Sequence, residues 1–320
     1  MKRDFISVAD FSPEELKQTL DLAVHLKKIR KTAKDVRPLV GRSMAMIFEK
    51  PSLRTRVTFE LAMVELGGHA LELQSLGIQL GERESVPDVA RNLERWVDVV
   101  AARVYRNETV RALAKNMEVP VINALCDMEH PCQAVADLLT IRELSPRKFP
   151  RVELAYVGDG NNVCHSLMLI CASLGVNLAV GTPAGYEPKE KFVRQARKLN
   201  RASGAKISLF NDPVEAVKGA DFVYTDVWAS MGQEEESEER KRIFRDYQVN
   251  GALLDHAAPD HCVLHCLPAH RGEEITDEVM DGPHSRVFIQ AENRLHAQKA
   301  IILKLLAREN ARNLTRTEMV

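Results

Sequence analysis

At 320 residues the chain is long for one hydrophobic core and comfortable for two domains. Lysine and arginine total 44 against 45 aspartate and glutamate, so no net field draws it to nucleic acid or anionic membrane, and any anion must be recognised locally. The opening MKRDFISVADFSPEEL lacks the apolar stretch of a secretory signal, no run is long enough for a membrane span, and six cysteines (126, 132, 164, 171, 262, 266) do not make a disulfide scaffold, so a reduced, cytoplasmic protein is expected.

Ser12-Pro13-Glu14-Glu15 is a capping box with proline at the first helical position, and Leu16, Leu20 and Val24 continue it as an amphipathic helix. SMAMIF (43–48) reads as a buried strand, followed by EKPSLRTR and the helix VTFELAMVEL, stopped at Gly67-Gly68. Short apolar runs recur at VVAARV (99–104) and VPVI (119–122), and QAVADLLTIREL closes the first half as a helix. SPRKFPR (145–151), with two prolines and basic residues, is the best linker. The second half restarts as strand, glycine-containing turn, helix and strand through RVELAYVGDGNNVCHSLMLICASLGVNLAVGTP. AKISLF, the helix DPVEAVKGA, and the strands DFVYTDVW and CVLHCL follow, with a charged surface run, GQEEESEERKR (232–242), before the last strand. A final helix from about Glu292 to Arg308 is expected to pack back on the first half. Strands alternating with helices predict two α/β domains, each a parallel sheet covered by helices on both faces, with an active-site cleft between them. The expected division is 1–147, joined by the terminal helix at 291–320, and 148–290.

Several short stretches carry chemistry. In PSLRTR (51–56) Ser52 suits a helix N-cap, and the free N–H groups of that turn with Arg54 and Thr55 suit a phosphate; a capped helix with solvated arginines fits as well. Arg103 ends an apolar strand and needs either a bound anion or a neighbouring carboxylate. MEHPCQ sets His130 beside a helix start at Pro131, where it is either a carbonyl ligand or a surface histidine, with Gln133 one turn on. GDGNN lacks the third glycine of a dinucleotide turn, and Asn162 there suits a carboxylate ligand, while Asp226 at a strand end suits an ammonium. HCVLHCLPAHRG (261–272) suggests zinc, but strand alternation puts His261 and His265 on one face and Cys262 and Cys266 on the other, which splits a metal set; no metal is expected.

S-x-R-T-R, H-P-C-Q, D-x-W-x-S-M-G-Q, H-C-L-P and A-E-N-R, in this order and spacing, resemble the ornithine carbamoyltransferase family almost end to end. That resemblance implies transfer of a carbamoyl group from carbamoyl phosphate to the δ-amino group of L-ornithine, giving citrulline and phosphate in arginine metabolism, with no cofactor. It implies carbamoyl phosphate contacts from Ser52, Leu53, Arg54, Thr55, Arg103, His130, Pro131, Cys132, Gln133, Cys266, Leu267 and Arg294, and from Gln79 of a neighbouring subunit of a homotrimer or a multiple of trimers. Asn162, Asp226, Ser230 and Met231 resemble the ornithine clamp, and Arg103, His130 and Cys266 the catalytic group, with Cys266 positioning substrate and Pro268 in a cis bond. Leu53 departs from the family's usual threonine, and Cys126 from a frequent serine. The rival readings are a sister enzyme acting on aspartate, putrescine or an acylated ornithine, and a non-catalytic homologue; a dehydrogenase lacks its complete glycine fingerprint.

Overall fold

The computed structural model of the protein describes residues 2–32, 36–74, 80–81, 83–229 and 236–307. The chain divides into two compact units, Met1–Leu139 with Asn293–Val320, and Thr140–Glu292. Both passages between them fall inside helices, whereas the SPRKFPR segment follows the first of those helices.

The first unit begins with α1 (Pro13–Lys31), and its capping box forms as the sequence predicts: Ser12 Oγ accepts from Glu15 N–H, and Glu15 accepts in return from Ser12 N–H at 3.0 Å. Then come β1 (Ser43–Phe48), α2 (Leu53–Glu65), β2 (His69–Gln74), α3 (Val86–Leu93), β3 (Val99–Arg103), α4 (Asn107–Lys115), β4 (Val121–Leu125) and α5 (Pro131–Leu144). All four strands are parallel in the order β2-β1-β3-β4. The apolar runs of β1, β3 and β4 are buried on both faces; Ala45, Ile47, Val100, Ala102 and Val121 enter one core with Val89, Leu93, Val110 and Leu113 from α3 and α4. The register slips between Ala102 and Arg103, so that Arg103 pairs with Leu125, an irregularity that re-aims the strand's last side chain.

The second unit contains β5 (Glu153–Val157), α6 (Asn162–Leu174), β6 (Asn177–Gly181), α7 (Glu190–Ser203), β7 (Ile207–Phe210), α8 (Pro213–Val217), β8 (Phe222–Thr225), α9 (Ser237–Ile243), α10 (Gly251–Leu254), β9 (Cys262–His265) and α11 (Asp277–Met280). Its strands are parallel in the order β7-β6-β5-β8-β9. Ala155, Val157, Val223 and Val263 form its core with Trp228, Phe244 and Val287. The final helix α12 (Val287–Leu306) begins earlier than the sequence predicts, and from Asn293 it packs on the first unit. Lys27 Nζ donates to Asn293 Oδ1 at 2.7 Å, Lys299 pairs with Glu65, and Lys304 Nζ donates to Gln18 at 2.8 Å.

In both sheets the chain starts at an interior strand, runs to one edge, then reverses. The reversal points lie between β1 and β3 and between β5 and β8, and the carboxyl ends of such strands are where doubly wound folds bind ligands.

Candidate active site

In the first unit the carboxyl ends of β1, β3 and β4 carry the residues the sequence singled out. β1 leads to Ser52, which occupies the N-cap of α2; its hydroxyl makes no cap hydrogen bond, so the expected side-chain cap does not form. The Leu53 side chain is 74 % exposed, so what that position offers an anion at the helix start is its backbone N–H. Thr55 is fully buried, and its Oγ1 accepts from Arg294 Nη2 at 2.7 Å. The other arm, Arg294 Nη1, donates to Gln133 Oε1 at 2.8 Å, and Gln133 Nε2 donates to Asp137 Oδ1 at 2.7 Å. One guanidinium from α12 thus ties the first turn of α2 to the first turn of α5, using the planar fork that lysine lacks.

His130 precedes Pro131, the first residue of α5, and is 3 % exposed, so the surface-histidine reading fails. Burial, reinforced by the Arg294 and then the Arg103 charge, holds its pKa well below the usual 6.5. A neutral imidazole between two guanidinium groups offers a hydrogen bond without adding a third positive charge. Cys132 turns to the sheet, its Sγ donating to Asn123 O at 3.5 Å, and burial pushes that thiol up to about 12; it is inert at neutral pH.

In the second unit, Asp226 follows β8 and Cys266 follows β9, both buried. The Cys266 thiol donates to Asp226 Oδ1 at 2.9 Å, and Asn161 Nδ2 donates to Asp226 Oδ2 at 2.8 Å. Asn162 lies in the first turn of α6, and its Oδ1 accepts from Val163 N–H at 2.9 Å. The N-cap is Asn161, whose Oδ1 takes Val163 N–H at 3.0 Å and Cys164 N–H at 3.1 Å while its amide holds Asp226. Gly160 of GDGNN serves chain packing: a Cβ there would lie 2.3 Å from Pro188 N, where the turn presses on the 186–188 backbone. The Leu267–Pro268 bond is cis, and Leu267 has φ 59°.

The zinc set does not assemble as HCVLHC suggests. Among the described residues, His261 and Cys262 join no cluster of potential ligands; His261 stacks on His284 at 4.3 Å. Asp226, His265 and Cys266 do bring ligand atoms within 4.8 Å of one another, but the thiol and carboxylate already bind each other. Gln79, Ser230 and Met231 lie outside the described residues.

Sequence reasoning passed over Asp137, Asn161, Arg240 and Glu274. Arg240, 5 % exposed, donates to Trp228 O at 2.8 Å, pairs with Asp159 at 3.2 Å and lies over the Tyr186 ring at 5.0 Å, bracing the loop after β8. Burial raises Asp159 to about 6 despite that partner. Nothing in the run EERKR marks Arg240 as the one that turns inward.

Two sequence profiles match: residues 3–143 match the aspartate/ornithine carbamoyltransferase carbamoyl-P binding domain, and residues 151–305 the Asp/Orn binding domain of the same family. The chain belongs to the aspartate/ornithine carbamoyltransferase family. Within that family it is 53 % identical over 304 residues to an ornithine carbamoyltransferase of Anoxybacillus flavithermus, covering 95 % of this chain and 96 % of the relative. The solved ornithine carbamoyltransferase from Pyrococcus furiosus superposes with a TM-score of 0.92 at 53 % identity, covering 95 % of this chain and 97 % of that one. The anabolic ornithine carbamoyltransferase from Campylobacter jejuni gives 0.89 at 40 % identity over 95 % and 99 %. The carbamoyltransferase profiles divide the sequence near 143–151, around the SPRKFPR segment.

Proposed function

We propose that this carbamoyltransferase moves the carbamoyl group of carbamoyl phosphate to the δ-amino group of L-ornithine, releasing L-citrulline and phosphate. The observation that carries this reading is the Arg294 fork, which joins Thr55 at the helix start of an anion site to Gln133 beside a neutral His130. The cradle takes the phosphate on the N–H groups of the α2 start, with Ser52, Arg54, Thr55 and Arg103. His130 donates to the carbamoyl oxygen, and Gln133 accepts from the carbamoyl NH2. In the second unit Asp226 takes the α-ammonium of ornithine, Asn162 lies beside its carboxylate, and the Leu267 carbonyl orients the carbamoyl NH2 or the attacking amine.

The neutral δ-amine attacks the carbonyl carbon, the C=O electron pair moves to oxygen, the C–O bond to phosphate breaks as that pair returns, and the surplus proton on the new C–N nitrogen leaves with the phosphate. Arg54, Arg103, Arg294 and His130 stabilise the charge as it develops, the electrostatic contribution that usually dominates such transfers. Cys266 positions substrate: its S–H is engaged as a donor to Asp226, which suits orienting an amine better than forming a covalent intermediate.

The protein is read as a cytoplasmic homotrimer, or a multiple of trimers. None of the six cysteines is in a disulfide, which fits a reducing compartment. Leu53, Val57, Leu61 and Val64 leave an apolar stripe exposed on α2, which fits contact with a second copy beside the anion site. The direct test is a coupled assay of citrulline and phosphate from carbamoyl phosphate and ornithine. One phosphate per citrulline is expected; phosphate release without citrulline would show that the chain is a phosphatase of the donor and refute the reading.

A further inference from the structure

His265 ends β9 with its side chain wholly buried, and both ring nitrogens are engaged. Leu267 N–H donates to Nδ1 at 2.8 Å, so the ring proton sits on Nε2. Nε2 donates to Glu274 Oε1 at 3.0 Å, and His270 N–H donates to that same oxygen at 2.6 Å. The backbone N–H of His265 donates to Gln290 Oε1 at 2.8 Å, which pins the strand end from the start of α12. The imidazole is therefore fixed at both edges, and its inner edge grips the chain two residues on.

What that grip holds is an unusual turn. Leu267, at φ 59°, is the one non-glycine residue with positive φ among the described residues, a conformation that leucine keeps only when its surroundings impose it. The turn sets the direction of the Leu267 carbonyl and leaves the Cys266 thiol on Asp226. We propose that His265, buttressed by Glu274, is a positioning residue for carbamoyl transfer: by accepting the Leu267 N–H at Nδ1 it fixes the turn that presents the Cys266 thiol and the Leu267 carbonyl to the reactants. This rests on the function proposed above.

Two isosteric substitutions separate the two edges of the ring. Asparagine puts its carbonyl oxygen where Nδ1 stood and loses the donor to Glu274; glutamine puts its amide N–H where Nε2 stood and loses the acceptor for Leu267. His265→Asn and His265→Gln are assayed with the wild type for kcat, for KM of both substrates and for Tm. A misplacement of about 1 Å at a reacting centre costs roughly a hundredfold in rate, so H265Q is expected to lose about that in kcat, with H265N within about threefold of wild type. KM for carbamoyl phosphate is expected to change less than about threefold in both, because the phosphate cradle belongs to the other unit. A merely structural role gives the opposite order, since H265N strands the buried Glu274 and is the less stable variant. Equal losses of kcat, or a lower kcat for H265N, would overturn the proposal. Should H265Q not fold, H265N alone decides, a tenfold loss in kcat overturning it. A wild type without transfer activity would instead refute the function itself.

Discussion

His130 is surrounded by apolar burial and two guanidinium charges, and all three disfavour its imidazolium form. With its pKa well below 6.5, the ring is neutral throughout an assay from pH 6 to 9, so His130 contributes no inflection there. The group that titrates on the reaction path is the ornithine amine, with a free pKa of about 10.4. At limiting ornithine, turnover is expected to rise through mildly alkaline pH, and His130→Asn is expected to lower kcat about a hundredfold, the effect of removing one oxyanion donor, without moving that rise. A variant with a displaced pH profile would show that His130 titrates after all. Folding gives the companion sign: a depressed histidine stabilises above its unfolded pKa, and that stability is lost as pH falls below about 6.5 toward the folded value. The chemistry-bearing motifs of this neighbourhood were legible as residue types, because hydroxyl, guanidinium and imidazole cluster at element boundaries. Their partners were not. Nothing in the sequence says that Arg294 reaches back to Thr55 over 239 positions, or that Asn161, and not its neighbour, holds Asp226.

Elements whose apolar pattern is unambiguous were readable in order: β1, β3, β5, β8 and β9 are short apolar runs, and α1 announces itself with a capping box. The elements passed over have weaker patterns. β2 follows Gly67-Gly68 as HALELQ, at the edge of its sheet, where one neighbour suffices and the alternation continues into further leucines. α7 buries just Phe192, Val193 and Ala196 of its 14 residues, so its polar composition resembles a loop until packing is known. α2 shows the converse case. Its buried residues, Thr55, Phe59, Ala62 and Met63, account for one face, yet Leu53, Val57, Leu61 and Val64 lie exposed on another. A monomer gains nothing from that stripe. For the proposed trimer, replacing Leu61 and Val64 with aspartate is expected to convert a species of three 35.9 kDa chains to smaller ones in light scattering, with a loss of activity. An unchanged mass would place the subunit contact elsewhere.

The proposed function divides its chemistry over the molecule: the residues proposed as the donor cradle lie in one unit and those proposed as the acceptor clamp in the other, each set at the reversal point of its own parallel sheet. The proposed mechanism, with Cys266 engaged as a donor to Asp226, has no carbamoyl-enzyme and therefore requires both substrates to be bound before either product leaves. Initial-rate plots with both substrates varied are expected to intersect; parallel lines would require a covalent intermediate and a different role for Cys266. The two-domain α/β class followed from length and alternation, whereas the chain's division inside α5 did not, because a continuous helix carries no mark of a boundary. On the proposed function, acceptor identity depends most on Asp226, a buried carboxylate that would favour an ammonium and repel the second carboxylate of aspartate. The measurement that tests this most directly is carbamoyl transfer with ornithine, putrescine, N-acetylornithine and aspartate side by side. Turnover with ornithine, at least about a hundredfold above the other three in kcat/KM, is the expected result, since loss of a buried charge pairing costs that much. Preference for N-acetylornithine or aspartate would leave the Arg294 cradle standing and contradict the assignment of Asp226 to the α-amino group, whereas preference for putrescine, which keeps that amine and lacks the carboxylate, would contradict the place of Asn162 beside the carboxylate.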